Sequence, residues 1–159
     1  MTDVTATGAA STTPIYSAGW ARTLKTQHGQ VTSIAATPTV ADRYKMMRLP
    51  KGAVIVGGFA TGTKMESSTS GATLDMDIGI DMGGTVDTDQ LGNFGVWSAG
   101  AVTGIKPEGS YGMPLGGLLL TTGPVECTGE YNDVYVTVIA SATNFVTGSL
   151  NLTVDYYVK

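Results

Sequence analysis

The chain has very few of the residues on which most catalytic and metal sites depend. Among its 159 residues there is one cysteine, Cys127, and one histidine, His28. A lone cysteine excludes a disulfide within the chain, and a lone histidine leaves little scope for the acid–base and metal chemistry in which histidine is the commonest participant. The sequence therefore predicts a protein that is not an enzyme, with no catalytic residue, cofactor or metal.

Charge is also scarce, and no run of basic residues occurs. Charged residues make up 14% of the chain, with 9 Lys and Arg against 13 Asp and Glu, so the net charge is −4. Nucleic acid and anionic membranes are thus poor partners. No stretch approaches the ~18 consecutive apolar residues of a membrane helix, and residues 1–10 lack the order of a secretion signal. We expect a soluble protein that binds neither nucleic acid nor membrane.

What the chain has in quantity is glycine, of which there are 22, and short β-rich runs. From Val31 onward, runs of β-branched and apolar residues are separated by Gly, Pro, Asn and Asp, which is typical of strands and turns. The longest alternations lie at Thr73–Met82 and Leu150–Val158, where a period of two excludes a helix. The predicted strands are 31–36, 43–49, 53–61, 73–82, 117–122, 133–142 and 150–158, with an eighth near 95–98.

The connections between these runs complete the fold prediction. Residues 48–56 contain Pro50 and Gly52, which indicate a tight turn between two antiparallel strands. Residues 83–92 have room for at most a short helical turn, and residues 99–117 read as a long Gly- and Pro-rich crossover or functional loop. Seven or eight strands with one long crossover predict an all-β fold, a jelly-roll-like β-sandwich.

We divide the chain into an extended N-terminal arm, residues 1–30, and a sandwich domain, residues 31–159. The arm is rich in Thr, Ala, Gly and Ser and has no periodicity of its own. The arm and the loops contain large apolar side chains. Aromatic residues and methionine are enriched in subunit interfaces, although they would equally fill the core of a monomer. The candidate contacts with another protein or a sister subunit are Tyr16, Trp20, Trp97, Tyr111 and Met113.

Acidic residues are the remaining candidates for chemistry. Asp75, Asp77 and Asp81 share one predicted strand face, and Asp87 and Asp89 follow in the next connection. Carboxylates two apart on a strand are close enough to share a cation, but this loop lacks the later ligands of an EF-hand. A solvated strand face is the favoured interpretation. A glycosidase would need a carboxyl group in an apolar pocket, which no pattern indicates.

The strand and turn motifs resemble those of small virion proteins of tailed bacteriophages. The similarity covers about residues 30 to 159, and it is carried by turn and strand patterns rather than by catalytic signatures. The matching segments are DRYKMMRLPKGAVIVGG at 42–58, ATLDMDIGID at 72–81, DTD at 87–89, VYVTV at 134–138 and LNLTVDYY at 150–157.

This resemblance implies a capsid decoration, or cement, protein. Such a protein would be made in the host cytoplasm, would bind the outer surface of the major capsid protein lattice as a homotrimer, and would stabilise the head against internal pressure. The arm would then reach over the capsid or a sister subunit and gain main-chain hydrogen bonds. Two alternatives remain open: a tail or head fibre-type virion protein, and a carbohydrate-binding β-sandwich in which aromatic side chains stack on sugar rings.

Overall fold

The computed structural model describes residues 3–5, 23–63, 65–67, 73–84, 86–93, 110–114 and 123–159. Within these ranges the regular structure is entirely β. Ten strands are described: β1 (Asp3–Thr5), β2 (Lys25–Ile34), β3 (Arg43–Pro50), β4 (Ala53–Thr63), β5 (Asp75–Asp81), β6 (Val86–Asn93), β7 (Ser110–Pro114), β8 (Val125–Glu126), β9 (Tyr131–Ala140) and β10 (Gly148–Val158).

The strands form two sheets with the pairing of a jelly roll. Sheet A has the order β1-β3-β9-β5-β6, and sheet B has the order β2-β10-β4-β7, with β8 also paired to β4. If β1 and β8 are set aside, the remaining eight strands pair antiparallel in nested fashion: β2 with β10, β3 with β9, β4 with β7 and β5 with β6. Nested pairing of eight strands across two sheets is the jelly-roll arrangement. The predicted fold class is confirmed.

Period-two alternation places the apolar residues between the sheets. Along β10, every second residue from Gly148 to Tyr156 is buried. On β5 the alternating apolar residues Met76, Ile78 and Ile80 are likewise buried. Strand β9, which lies in the middle of sheet A, is buried on both faces from Val134 to Val138. The core is made chiefly of Met46, Met47, Leu49, Ile55, Met65, Leu74, Met76, Ile78, Ile80, Leu91, Leu150, Leu152 and Val154.

The two sheets come very close together where β2 crosses β3. A Cβ added to Gly29 on β2 would lie 2.0 Å from the carbonyl oxygen of Met46 on β3. Beside this contact, the pairing of β3 with β9 shifts register between Lys45 and Met47. Only glycine allows the two backbones to approach so closely. Gly29 therefore permits the close packing of β2 against β3 at this point.

A buried carboxylate joins two connections at one end of the sandwich. Glu66, which follows β4, is fully buried, and its Oε2 accepts hydrogen bonds from the backbone N–H groups of Thr73 and Leu74, both at 2.8 Å. Its Oε1 accepts from the N–H groups of Thr143, at 2.9 Å, and Asn144, at 3.4 Å. Burial raises the pKa of Glu66, but the four N–H donors outweigh it and hold the pKa below its ordinary value. The ionised side chain therefore ties the entry to β5 to the β9–β10 connection.

Three connections differ from the sequence prediction. Residues 83–92 were expected to hold at most a helical turn, but strand β6 runs from Val86 to Asn93 and forms the edge of sheet A. Within the predicted loop 99–117, residues 110–114 form strand β7 on the edge of sheet B. The turn at Pro50 and Gly52 exists, with φ of 78° at Gly52, but it leads from sheet A to sheet B and does not close a hairpin.

At the N-terminus, the first long strand begins at Lys25, six residues before the predicted start of the sandwich domain. Residues 3–5 form β1, which pairs in parallel with β3. Residues 25–30 extend the pairing of β2 with β10, since Lys25 lies opposite Tyr156. The predicted strands at 117–122 and 95–98 lie outside the described residues.

Candidate functional site

Three of the predicted contact residues, Tyr16, Trp20 and Trp97, lie outside the described residues. The other two lie on β7 at the edge of sheet B, where Tyr111 is the register partner of Gly62 and Met113 that of Ala60. The structure thus places the backbone of Tyr111 and Met113 on one short edge strand. Sequence reasoning placed both in a loop, because five residues of strand inside a glycine-rich stretch leave almost no periodicity.

The outer face of sheet A carries a cluster of paired charges. The carboxylate of Asp133 on β9 accepts hydrogen bonds from Lys45 Nζ at 2.7 Å and from Arg48 Nε at 2.6 Å, both on β3. The guanidinium of Arg48 also stacks on Tyr131, with 4.7 Å to the ring centroid. Burial raises the pKa of Asp133, but the hydrogen bonds and charges of Arg48 and Lys45 lower it by more. The pKa of Asp133 therefore lies below its ordinary value. These groups satisfy one another and hold β3 on β9.

On the neighbouring strand β5, Asp77 lies opposite Thr137 of β9 and is buried. Its side chain is 7% exposed and accepts a hydrogen bond from Asn93 Nδ2. Burial, followed by the charges of Asp75 and Asp89, raises the pKa of Asp77 to about 6, against the lowering effect of Asn93. The interpretation of this strand face as solvated was wrong at Asp77, because β6 and β9 lie on either side of β5 and shield its middle.

The acidic residues of β5 and β6 do not form a metal centre in the part of the chain that the structure describes. They are Asp75, Asp77, Asp81, Asp87 and Asp89. No group of three His, Cys, Asp or Glu side chains there converges as cation ligands would. On β6 the pKa of Asp87 is raised, first by burial and then by a hydrogen bond with the carboxyl of Asp89, so these two carboxyl groups interact with each other. Of the other acidic residues, Asp81 on β5 lies 3.8 Å from the guanidinium of Arg43.

The outer face of sheet B has a different character, since hydroxyl and apolar side chains occur there together with Asp155 and the exposed ion pair of Lys159 with Glu126. Thr26 on β2 donates a hydrogen bond to Asp155 on β10 at 2.6 Å, and Nδ1 of His28 lies 3.3 Å from Oγ1 of Thr153. Farther across the face, on β4, Phe59 and Val56 are 48% and 41% exposed. A surface with exposed apolar side chains is suited to contact with another protein surface.

Burial or hydrogen bonding already constrains the described thiol Cys127 and the groups Asp42 and Tyr44, which could otherwise act as nucleophile or base. Burial, and secondarily Glu126, raises the pKa of the Cys127 thiol to about 12, and the side chain is fully buried. An open hollow of about 470 Å³ lies where β2 leads into β3, and the only ionisable groups in its lining are Asp42 and Tyr44. The carboxylate of Asp42 already accepts hydrogen bonds from the N–H and hydroxyl of Thr39, and burial raises the pKa of the Tyr44 phenol to about 12.

Sequence reasoning missed the Asp133 cluster and the sheet B face. Lys45 and Arg48 lie on one strand and Asp133 on another, 85 residues beyond Arg48, so the sequence gives no local signal that joins them. What the sequence lacked was the register, which sets Lys45 opposite Tyr135 and Arg48 opposite Asp133. Likewise, Phe59 was part of a predicted strand, but nothing indicated which of its neighbours would leave it uncovered.

Two solved phage capsids contain chains with this fold. A chain in the capsid asymmetric unit of cyanophage Pam1 superposes with a TM-score of 0.69 at 20% sequence identity, and the match covers 94% of this chain and 95% of that one. A chain in the capsid of Ralstonia phage GP4 superposes with a TM-score of 0.71 at 14% identity, covering 99% of this chain and 98% of that one. The fold similarity therefore extends over nearly the whole of both chains.

Comparison by sequence adds nothing to this structural similarity. No protein-family model matches the chain, and no curated protein matches it significantly. Among the described residues, no helix has the length and apolar character needed to cross a membrane.

Proposed function

We propose that this chain is a structural protein of a bacteriophage virion that decorates the head. In this proposal it binds the outer surface of the major capsid protein lattice as a homotrimer and stabilises neighbouring capsomers. The observation that carries the proposal is the jelly-roll fold shared, over almost the full length of both chains, with chains of two phage capsids. The strand and turn motifs that resemble those of virion proteins are an independent argument for the same conclusion.

The matched lengths support a decoration role. The chains of the Pam1 and GP4 capsids are covered to 95% and 98%, so they are about as small as this one. A single sandwich of this size has one core and offers its faces, edges and arm for binding. Three copies joined in one trimer would bind the lattice at three points, and the resulting avidity allows each contact to be weak.

The outer face of sheet B is our candidate for the surface that meets the capsid or a sister subunit. Its exposed Phe59 and Val56 lie on β4, next to the edge strand that contains the predicted contacts Tyr111 and Met113. Tyr16, Trp20 and Trp97 remain proposed contacts on the strength of their residue type alone. The exposed Phe59 and Val56 suit this face to a partner bound through apolar contacts.

The test is binding to purified phage heads that lack their decoration protein. We expect the wild-type protein to co-sediment with heads and to raise the temperature at which they release DNA. Phe59→Ser should weaken co-sedimentation at least tenfold. Val86→Ser is the matched control, because Val86 is 45% exposed but lies on β6 in the other sheet.

Light scattering of the purified protein tests the oligomer separately. A mass of three subunits supports the trimer, whereas a stable monomer contradicts it. Failure to bind heads at any concentration would contradict the decoration role. Quenching of intrinsic fluorescence by oligosaccharides, together with no binding to heads, would favour the carbohydrate-binding alternative.

A further inference from the structure

We infer that strand β6 is a pH-dependent edge of sheet A, which is closed on β5 in mildly acidic solution and opens locally at neutral pH. The inference does not depend on the proposed function, because it concerns only how two strands of one chain pack on each other. It identifies the element that moves, the charges that drive it and the surface that it uncovers, which is the backbone edge of β5.

Strand β6 is paired with β5 near its two ends and not in its middle. Toward one end Ile80 pairs with Asp87, and toward the other Ile78 pairs with Gly92, so residues 88–91 have no register partner on β5. Among the described strands, β6 is also the last in sheet A. An edge strand with an interrupted ladder has few hydrogen bonds to lose, so it opens at lower cost than a central strand.

The middle of β6 lies against β5 at Gly79. A Cβ added to Gly79 would lie 2.0 Å from the carbonyl oxygen of Asp87 and 2.5 Å from that of Thr88. By alternation along β5, Gly79 shares its face with Asp77, which is two residues away and only 7% exposed. The backbone of β6 therefore lies beside Asp77, and its closure helps to remove this carboxyl from water.

Closing β6 also brings like charges together. Residues 73–93 contain five aspartates and no lysine or arginine. Burial, followed by the charges of Asp75 on the same strand and Asp89 on β6, raises the pKa of Asp77 to about 6. In the described part of the chain, Oδ1 of Asp75 and Oε1 of Gln90 on β6 are buried without a hydrogen-bond donor. The closed arrangement therefore costs free energy when Asp77 is ionised.

The described cations of sheet A pair with other carboxylates. On β9 the register partner of Asp77 is the uncharged Thr137. On β6, Asp87 interacts with Asp89. The charged and titratable groups farther along β5, β9 and β3 are Asp133, which binds Lys45 and Arg48, and Asp81, which lies 3.8 Å from Arg43, itself stacked on Tyr135.

The direction of the pH effect follows from linkage. With β6 closed, the pKa of Asp77 is about 6 despite the hydrogen bond from Asn93, whereas an opened strand returns the carboxyl to water and removes Asp89, so the pKa falls toward the ordinary 3.8. Protonation then favours the closed state, and opening increases as the pH rises through ~6. Between pH 5 and pH 7.5 the opening constant should rise about tenfold. An opened β6 leaves the edge of β5 unpaired.

Hydrogen exchange of the full-length protein, followed by mass spectrometry, measures this opening. After correction for the intrinsic exchange rate, residues 86–93 should open about tenfold more at pH 7.5 than at pH 5. Asp77→Asn should reduce this ratio to under about twofold and should lower the opening at pH 7.5. Asp89→Asn removes one charge but not the burial, so its ratio should fall between these values. Asp155→Asn, on the other sheet, is the control and should keep the wild-type ratio.

Urea below the unfolding transition separates a local opening from unfolding of the whole sandwich. A local opening exposes little surface, so exchange of residues 86–93 should hardly change, whereas exchange of the inner strand β10 should rise. Exchange of residues 86–93 that matches β10 and rises with it in urea would overturn the inference. A pH dependence that persists unchanged in D77N would overturn it as well.

Discussion

Replacing Asp77 by asparagine should stabilise this protein at neutral pH. Asp77 is buried and lies near the negative charges of Asp75 and Asp89. Burial first, and then these charges, raise its pKa from an ordinary 3.8 to about 6. A folded-state pKa above the unfolded one means that the protein is more stable while the carboxyl is protonated. This stability is complete below pH ~4 and is lost as the pH rises through ~6.

The size of the effect follows from the two pKa values. A difference of about two pH units corresponds to a ceiling of about 3 kcal/mol at neutral pH. Of this, about 1.4 kcal/mol should be regained when the pH falls from 7.5 to 5. In Asp77→Asn the side-chain oxygen still accepts the hydrogen bond from Asn93, but the new amide needs a partner of its own. We therefore expect a net gain of about 1–2 kcal/mol at pH 7.5.

Urea unfolding at pH 7.5, 6.5, 5.5 and 5.0 measures both quantities. The difference in unfolding free energy between D77N and wild type should be largest at pH 7.5 and should shrink toward pH 5. Asp155→Asn is the control, because Asp155 lies on the other sheet and its carboxylate bonds to exposed Thr26. A D77N protein that is less stable than wild type at pH 7.5, or a difference that does not change with pH, would refute the reasoning.

Three further substitutions test the fold. Glu66→Gln puts an amide group against two of the four backbone N–H donors and should lower the unfolding free energy by about 2–4 kcal/mol, as measured in urea; a loss under 0.5 kcal/mol would contradict the buried clamp. Gly29→Ala forces a Cβ against the carbonyl oxygen of Met46 and should lower the melting temperature by about 4–8 °C. Gly57→Ala is the control and should have little effect, because a Cβ there meets nothing within 4 Å. Equal effects of the two substitutions would contradict the close approach of β2 to β3. Asp133→Asn leaves two part-buried cations without their carboxylate and should cost about 2 kcal/mol in urea unfolding, even in 0.5 M salt; a loss that salt abolishes would indicate an exposed pair.

Local patterns were enough to predict most of the sandwich strands. On β10, alternation from Leu150 to Tyr156 marks the buried face without any tertiary information. The same holds for β5, where the apolar set is buried as expected. The signal failed at β6 and β7, since Val86–Asn93 is mostly polar and Ser110–Pro114 is very short. Edge strands with one neighbour need little apolar content, so periodicity alone cannot reveal them.

The candidate surfaces were harder to predict than the fold. The sequence shows that Lys45, Arg48 and Asp133 exist, but 85 residues separate Arg48 from Asp133, and only the pairing of β3 with β9 joins them. The environment of Asp77 is a similar case. Alternation assigned it correctly to the face opposite the core, but the burial of that face depends on strands from distant parts of the chain.

The sequence by itself determined the class of this protein: all-β, low in charge, poor in catalytic residues, and alternating so regularly that β5 and β10 had to bury one face each. These properties are local, because a period of two and the residue types of a turn act within a few residues. Only the tertiary structure decided which strands are neighbours. That order buries Asp77, joins Lys45 and Arg48 to Asp133, and leaves Phe59 exposed, because contacts between residues far apart in the chain depend on register and sheet order.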